Sequence, residues 1–222
     1  VGLVDLNPDT QDPAEMLRAA LTAAQDSRHQ QKEYAHYNAQ TDSAHRRAFQ
    51  ILTDVPDALK AENQIELYYQ PRIDLRTETC LAVEALMRWK HPSLGWLSPG
   101  EFMPLVESTA LIKPLTGYVL ETVIRQLARW KNTRKDLRIS VNVSPHNLNE
   151  PGFVETLERL CRDQAVNPAG LELEFTEGAL SADDATTVAC LRQLRELGCT
   201  IAIDDFGSGY SNMAYLTKIP AD

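Results

Sequence analysis

From residue 64 onward, apolar and polar positions follow two alternating rhythms. A period near two runs through ELYYQPRID (66–74), CLAVEALMRW (80–89), LRISVNVS (137–144), LELEFTE (171–177) and CTIAIDDF (199–206). These segments are rich in β-branched, aromatic and aliphatic residues and predict strands. Between them the rhythm lengthens to the helical one. Leu120, Val123, Ile124, Leu127 and Trp130 form an apolar stripe on a helix that starts near Pro114. A second helix is expected around 151–163. A third begins at Ser181, whose hydroxyl can cap with Asp184 three residues on, and it ends at Gly198. HPSLGWLSPGEF reads as a loop rich in Pro and Gly, and a short helix should follow the last strand. Such alternation predicts an α/β fold on a parallel sheet, open or closed, whose right-handed crossovers bring the strand C-termini to one rim. In a barrel that rim carries the active site.

The first 63 residues differ in character. Residues 1–40 read as one unit: a short apolar start (VGLVDL), a helix over Ala14 to Ala24 with Met16, Leu17, Ala20, Leu21 and Ala24 on one face, and then YAHYN. Residues 41–63 are polar and weakly helical through Phe49, Leu52 and Leu59. Pro56 should interrupt or restart any helix there. This stretch is read as a helical connector, which leaves 64–222 as the main domain.

Composition narrows the function classes. The chain of 222 residues is 43% hydrophobic, enough for one large globular domain or one domain with part of another. It contains neither an apolar run of membrane-spanning length nor a signal-peptide pattern. Cys80, Cys161, Cys190 and Cys199 lack CxxC spacing, which suits a reducing, cytoplasmic setting and argues against a structural zinc site. The net charge of -9 disfavours broad binding to nucleic-acid backbone. It leaves room for a small anionic ligand held through metal ions.

The strand ends carry the candidate chemistry. With side chains alternating faces, Ala82, Glu84, Leu86 and Arg88 share one side, as do Ser140, Asn142 and Ser144, and Glu172, Glu174 and Thr176. Asp204 and Asp205 stand side by side at the last strand end. Each of these residues alone reads as a solvated or capping side chain. Together they place an oxygen ligand on each of four strands: Glu84, Asn142, Glu174 and Asp204, with Asp205 beside the last. Strands buried on both faces normally read as unbroken apolar runs, so this polar set calls for a reason. Converging carboxylates repel unless protonated or neutralised by cations. Hard oxygen donors without His or Cys favour Mg²⁺ or Mn²⁺, and adjacent aspartates can share two ions. Such a pair can activate a water at a phosphodiester. Arg88, on the Glu84 face, suits a phosphate, with a salt bridge to a nearby acid as the plainer alternative. Glu177 either braces the loop at 207–212 or caps the next helix. His91 reads as structural, His146 as a possible N-cap, and GSG at 207–209 lacks P-loop spacing.

Gln70-Pro71, Glu84-Ala85-Leu86 with Arg88-Trp89, Asn142-Val143-Ser144, Glu174-Phe175-Thr176-Glu177 and Asp204-Asp205-Phe206-Gly207 together resemble the EAL domain, in order and spacing, from about residue 64 to the end. The resemblance implies a TIM-barrel-like (β/α) fold and a phosphodiesterase that opens cyclic di-GMP to linear pGpG with two Mg²⁺ or Mn²⁺ ions. It implies Glu84, Asn142, Glu174, Asp204 and Asp205 as metal ligands, with Glu84, Asp204 and Asp205 catalytic. It assigns Gln70, Leu86, Arg88 and Ser144 to the substrate surface and Glu177 to loop stabilisation. It also implies a homodimer through this domain. Residues 1–40 resemble the tail of a GGDEF domain, which implies an upstream GGDEF or sensor domain in the parent chain, although no GG[DE]EF signature is present.

Some positions depart from the family pattern. The loop reads GSGYSN where GTGYSS is usual, and Gly178 replaces a common Ser. The family's later Lys, Glu and Gln have no counterpart before residue 222, and Lys218 belongs to the preceding helix. The expectation is therefore a fragment holding the N-terminal two-thirds of the domain, inactive by itself. Two function classes remain: a metal-dependent phosphodiesterase in the complete protein, or a degenerate EAL domain that binds cyclic di-GMP as a receptor. An unrelated metal-dependent barrel, such as an aldolase, would require the motif order to be accidental.

Overall fold

The computed structural model describes residues 1–4, 13–29, 32–131, 133, 137–176, 185–205 and 219–221. Its contacts divide the chain into two units, Val1–Asp54 and Val55–Asp222.

In the first unit, β1 (Gly2–Leu3) lies parallel to β2 (Ala35–His36), and α1 (Pro13–His29) packs on β1. Gly2 sits so close to α1 that a Cβ on it would come within 2.0 Å of the Ala20 carbonyl oxygen, so only glycine fits. The buried face of α1 carries Ala19, Ala23 and Ser27, while Leu17 and Leu21 are exposed. This corrects the expected apolar face: the close approach of strand to helix selects small residues and turns the leucines outward. The last helix, α2, runs unbroken over Ala39–Ala58. Pro56 lies inside its final turn and neither interrupts nor restarts it.

Asp42 ties this unit together. Its buried carboxylate accepts hydrogen bonds from Arg18 Nη1 at 3.0 Å and the Tyr37 hydroxyl at 2.8 Å, and pairs with Arg46 one helical turn on. The bond from Arg46 does most to hold this carboxyl well below its ordinary value, with Tyr37 and Arg18 adding to it against the opposing effect of burial.

In the second unit, β3 (Ile65–Asp74) and β4 (Thr79–His91) form an antiparallel hairpin, since the short link between them cannot make a parallel crossover. The segment expected to be a loop contains β5 (Gly95–Leu97), which pairs antiparallel with β4, and then α3 (Pro99–Glu107). Pro99 suits a first helical turn, and Phe102 and Val106 are the buried side of α3. The chain continues through α4 (Ile112–Trp130), β6 (Arg138–Asn142), α5 (Pro145–Leu148), α6 (Phe153–Asp163), a 3-10 turn (Pro168–Gly170), β7 (Leu171–Thr176), α7 (Ala185–Leu197) and β8 (Thr200–Asp204). The sheet order is β3-β4-β6-β7-β8, with β4, β6, β7 and β8 parallel. The proposed cap at Ser181 lies outside the described residues. Gly198 ends α7 with φ of 109°, a left-handed conformation that glycine adopts without strain.

The core lies on one face of this sheet. Val83, Ala85, Ile139, Val141, Leu171, Leu173, Phe175 and Ile201 point toward the apolar stripes of α4, α6 and α7. Trp130 meets Tyr69 edge-on at 5.1 Å, as expected of a core-packing helix end. Trp89 packs at right angles on Phe102 at 5.5 Å. His91 is structural: it is buried, and its Nδ1 accepts from the Ser93 and Leu94 amides at 3.2 Å each. All four cysteines are free, and burial pushes the Cys161 and Cys190 thiols up to about 11 and Cys199 to about 12, which leaves these three inert at neutral pH. Among the described residues no helix is long and apolar enough to cross a membrane.

Two measurements check this packing. Phe175→Ala should cost about 3–5 kcal/mol in urea unfolding, and Leu75→Ala, at an exposed turn, less than about 0.5 kcal/mol. In the first unit, Asp42 contributes stability above the ordinary carboxylate pKa of 3.8, and that contribution is lost as pH falls toward its depressed folded value. Amide exchange in α1 should therefore accelerate below about pH 4 by more than in Asp42→Asn, which lacks this titration.

Candidate active site

The opposite face of the same sheet is polar. Register places Gln70, Glu84, Ser140, Glu172 and Thr200 in one row across β3, β4, β6, β7 and β8. Asn142 and Glu174 are paired one step nearer the strand C-termini, and Thr176 is paired with Asp204 one step further. Alternation along each strand thus sends every second residue into the apolar core and the intervening ones into this polar surface.

Glu84 and Asn142 meet directly, with Asn142 Nδ2 donating to Glu84 Oε1 at 3.2 Å. That arrangement leaves the Asn142 carbonyl oxygen available to a cation. Glu172 and Glu174 are only 6% and 8% exposed. Their charge is met by Arg72, which sequence reasoning passed over as one residue of a strand. Its Nη1 donates to Glu174 Oε1 at 3.0 Å and its Nη2 to Glu172 Oε1 at 2.5 Å. Arg138 Nη1 approaches the far oxygen of Glu172 at 3.9 Å. β3 and β7 are three strand spacings apart, roughly 14 Å measured along the sheet. The long arginine and glutamate side chains span that distance by leaning toward each other across the intervening strands, where Ala82 and Ser140 are small.

The electrostatics are those of crowded acids. Burial raises the Glu174 pKa, and Glu84 and Glu172 push it the same way, while Arg72 opposes them. The buried Ser140 hydroxyl lies near enough to offset part of the rise, although it reaches no partner within ordinary hydrogen-bond geometry. Asp204 and Asp205 sit at the exposed end of β8. Asp205 adopts φ of 53° and returns its amide to Asp204 Oδ1 at 2.8 Å. The tandem aspartates therefore occupy a left-handed turn that ends the strand alternation, a conformation Asp tolerates better than most residues. Among the described residues, no three His, Cys, Asp or Glu side chains gather closely enough to enclose an ion. The donors nevertheless suit a hard divalent cation: carboxylate and amide oxygens on four neighbouring strands and an orphaned hydroxyl below them.

The other expected contacts fall around this row. Gln70 faces solvent beside Glu84 in register. Arg88 makes no ion pair among the described residues: it donates to the Met87 carbonyl at 2.8 Å and lies 5.7 Å from the centroid of Tyr68. Ser144 caps α5, its Oγ accepting from the His146 amide at 3.4 Å, so Ser144 rather than His146 is the N-cap. Leu86 lines a cavity of about 220 Å³ with Met87, Pro99, Met103, Val119 and Asn142. The α3 part of that wall was hidden in a segment read as loop, and the signal was Pro99 followed by apolar Phe102, Met103 and Val106. Glu177 and the loop at 207–212 lie outside the described residues.

The EAL domain matches residues 52–222 of the sequence. The chain belongs to the EAL domain family. A cyclic di-GMP phosphodiesterase of Pseudomonas aeruginosa is 43% identical to it over 221 residues, spanning 99% of this chain and 38% of that protein. MucR of the same organism, a bifunctional diguanylate cyclase/cyclic di-GMP phosphodiesterase, is 34% identical over 189 residues, or 85% of this chain and 27% of that one. The chain thus spans well under half the length of these curated relatives. A solved MucR phosphodiesterase in complex with c-di-GMP superposes with a TM-score of 0.72 at 37% identity, covering 78% of this chain and 70% of that one. The EAL domain here accordingly has the TIM-barrel-like fold of its structural neighbours, with a sheet whose β4, β6, β7 and β8 run parallel.

Proposed function

We propose that this EAL domain, in its complete protein, hydrolyses cyclic di-GMP to linear pGpG. The observation that supports the reading is a set of oxygen donors on one face of four neighbouring parallel strands: Glu84 within β4 and bonded to Asn142, Asn142 and Glu174 in register with each other, and Asp204 at the end of β8. Relatives at 43% and 34% identity are named phosphodiesterases of this nucleotide, which supports the same substrate.

Glu84, Asn142, Glu174, Asp204 and Asp205 would hold two Mg²⁺ or Mn²⁺ ions. Ions so bound would supply an activated water and offset the charge of the phosphodiester. Asn142, bonded to Glu84, fixes that carboxylate and offers its own carbonyl oxygen. Asp205, through its amide, orients the Asp204 carboxylate. Arg88 is proposed to meet a non-bridging phosphate oxygen once it leaves the Met87 carbonyl, with Gln70 and Ser144 as neighbouring polar contacts. Leu86 and the apolar cavity beside it would take a purine face, being large enough for one base but not the dinucleotide. Glu177 is proposed to brace the loop that follows Asp205. Residues 1–40 as the end of a GGDEF-like domain, 41–63 as a helical connector, a homodimer through 64–222 and a cytoplasmic setting belong to the same proposal.

The assay uses the full-length protein with cyclic di-GMP and Mg²⁺ or Mn²⁺, separating products by chromatography. The expected result is metal-dependent pGpG, with turnover lost in Glu84→Ala and in Asp204→Ala, and Arg88→Ala raising KM more than it lowers kcat. Binding of cyclic di-GMP without turnover would overturn the enzyme reading in favour of a receptor. Near-normal rates in either acid variant would overturn the ligand assignment.

A further inference from the structure

Among the described residues, two cations on the polar face play no part in the proposed chemistry: Arg138, 3.9 Å from Glu172, and Arg72, which reaches both acids of β7. Arg72 enters from β3, crosses Ala82 and Ser140, and ends between the two buried carboxylates of β7. Each end of its guanidinium takes one oxygen, Oε1 of Glu174 and Oε1 of Glu172. Among the described residues no hydrogen bond meets Glu174 Oε2 within ordinary geometry, the Ser140 hydroxyl lying close by, so the clamp secures one oxygen of this carboxylate. The planar guanidinium can hold two carboxylates in fixed relative positions, which an ammonium point charge cannot do. Its side chain is still 42% exposed, so it lies at the edge of the acid cluster rather than sealed beneath it.

We propose that Arg72 is a positioning residue that clamps Glu174 to Glu172 and so presents the free Glu174 oxygen to a divalent cation. The inference rests on the phosphodiesterase reading for the cation but not for the clamp. Two physical roles for Arg72 predict opposite signs. A clamp pre-orients a ligand, so its loss weakens cation binding. A mere competing positive charge repels the ion, so its loss tightens binding.

The test is a set of full-length variants read in two ways. Titration calorimetry with Mg²⁺ and with Mn²⁺ should show Arg72→Met binding about tenfold more weakly than the unaltered protein, the scale on which residues that orient a ligand act. Arg72→Lys should recover only part of that loss. Unchanged or tighter binding would overturn the proposal. The second readout needs no metal: melting in chelator of Arg72→Met, Glu174→Gln and their combination. The drop in Tm caused by Arg72→Met should be clearly smaller in the Glu174→Gln background, because the two side chains act as a pair. Equal drops in both backgrounds would show that they do not interact and would sink the clamp. If the unaltered protein binds neither ion, the metal reading falls and the melting comparison still decides the clamp.

Discussion

Carboxylates on neighbouring strands repel one another, and the polar face of this sheet is arranged around that repulsion. Glu84, Glu172 and Glu174 lie within electrostatic reach, and two of them are almost wholly removed from water. Left alone they would take up protons or push the strands apart. Arg72 answers from β3, three strand spacings away on the same face. Small side chains at Ala82 and Ser140 and the paired acids of β7 are thus parts of one arrangement. Bulkier residues on β4 and β6 would stand in the way of the crossing.

The same strands meet a different demand on their other side. Leu171, Leu173 and Phe175 alternate with Glu172, Glu174 and Thr176, so a slip of one residue in β7 would bury three polar groups in the helix-packed core. The cost of that error locks the register. The locked register then aligns Asn142 with Glu174 and Thr176 with Asp204. The hydrophobic face therefore sets the placement of the acids. Polar residues can crowd on one face because the apolar half of every strand fixes the backbone beneath them.

Much of this was legible in the residues. The five strands, the stripe of α4 and the shared polar face of Glu84, Asn142 and Glu174 follow from periodicity, which depends only on neighbours in the chain. What escaped depended on partners distant in sequence or on locally ambiguous signals. Arg72 bonds residues 100 and 102 positions away, and nothing in QPRID announces that. The α3 helix hid because Pro99 and Gly100 read as loop residues when they in fact open a helix. The leucines of α1 suggested a buried face, but the close passage of Gly2 gave that face to alanines. Pro56 looked like a break, yet a proline in the last turn of a helix need not end it. The antiparallel first hairpin could have been read from its short link, which rules out a crossover.

The two units offer a comparison that bears on which buried acids do chemistry. Asp42 and Glu174 are both buried carboxylates met by arginine. Asp42 is saturated: two arginines and a tyrosine hydroxyl occupy its oxygens, and its pKa is pulled down. Such an acid has no capacity left for a ligand, and its role is to hold two helices and a strand end together. Glu174 receives one charged donor on one oxygen, keeps a raised pKa and stands beside two more acids. It is destabilised relative to its solvated state and would gain from another cation. Burial and an arginine partner do not by themselves separate structural from functional acids. The balance of donors to oxygens distinguishes these two: Asp42 has its oxygens filled, whereas Glu174 has one arginine on one oxygen.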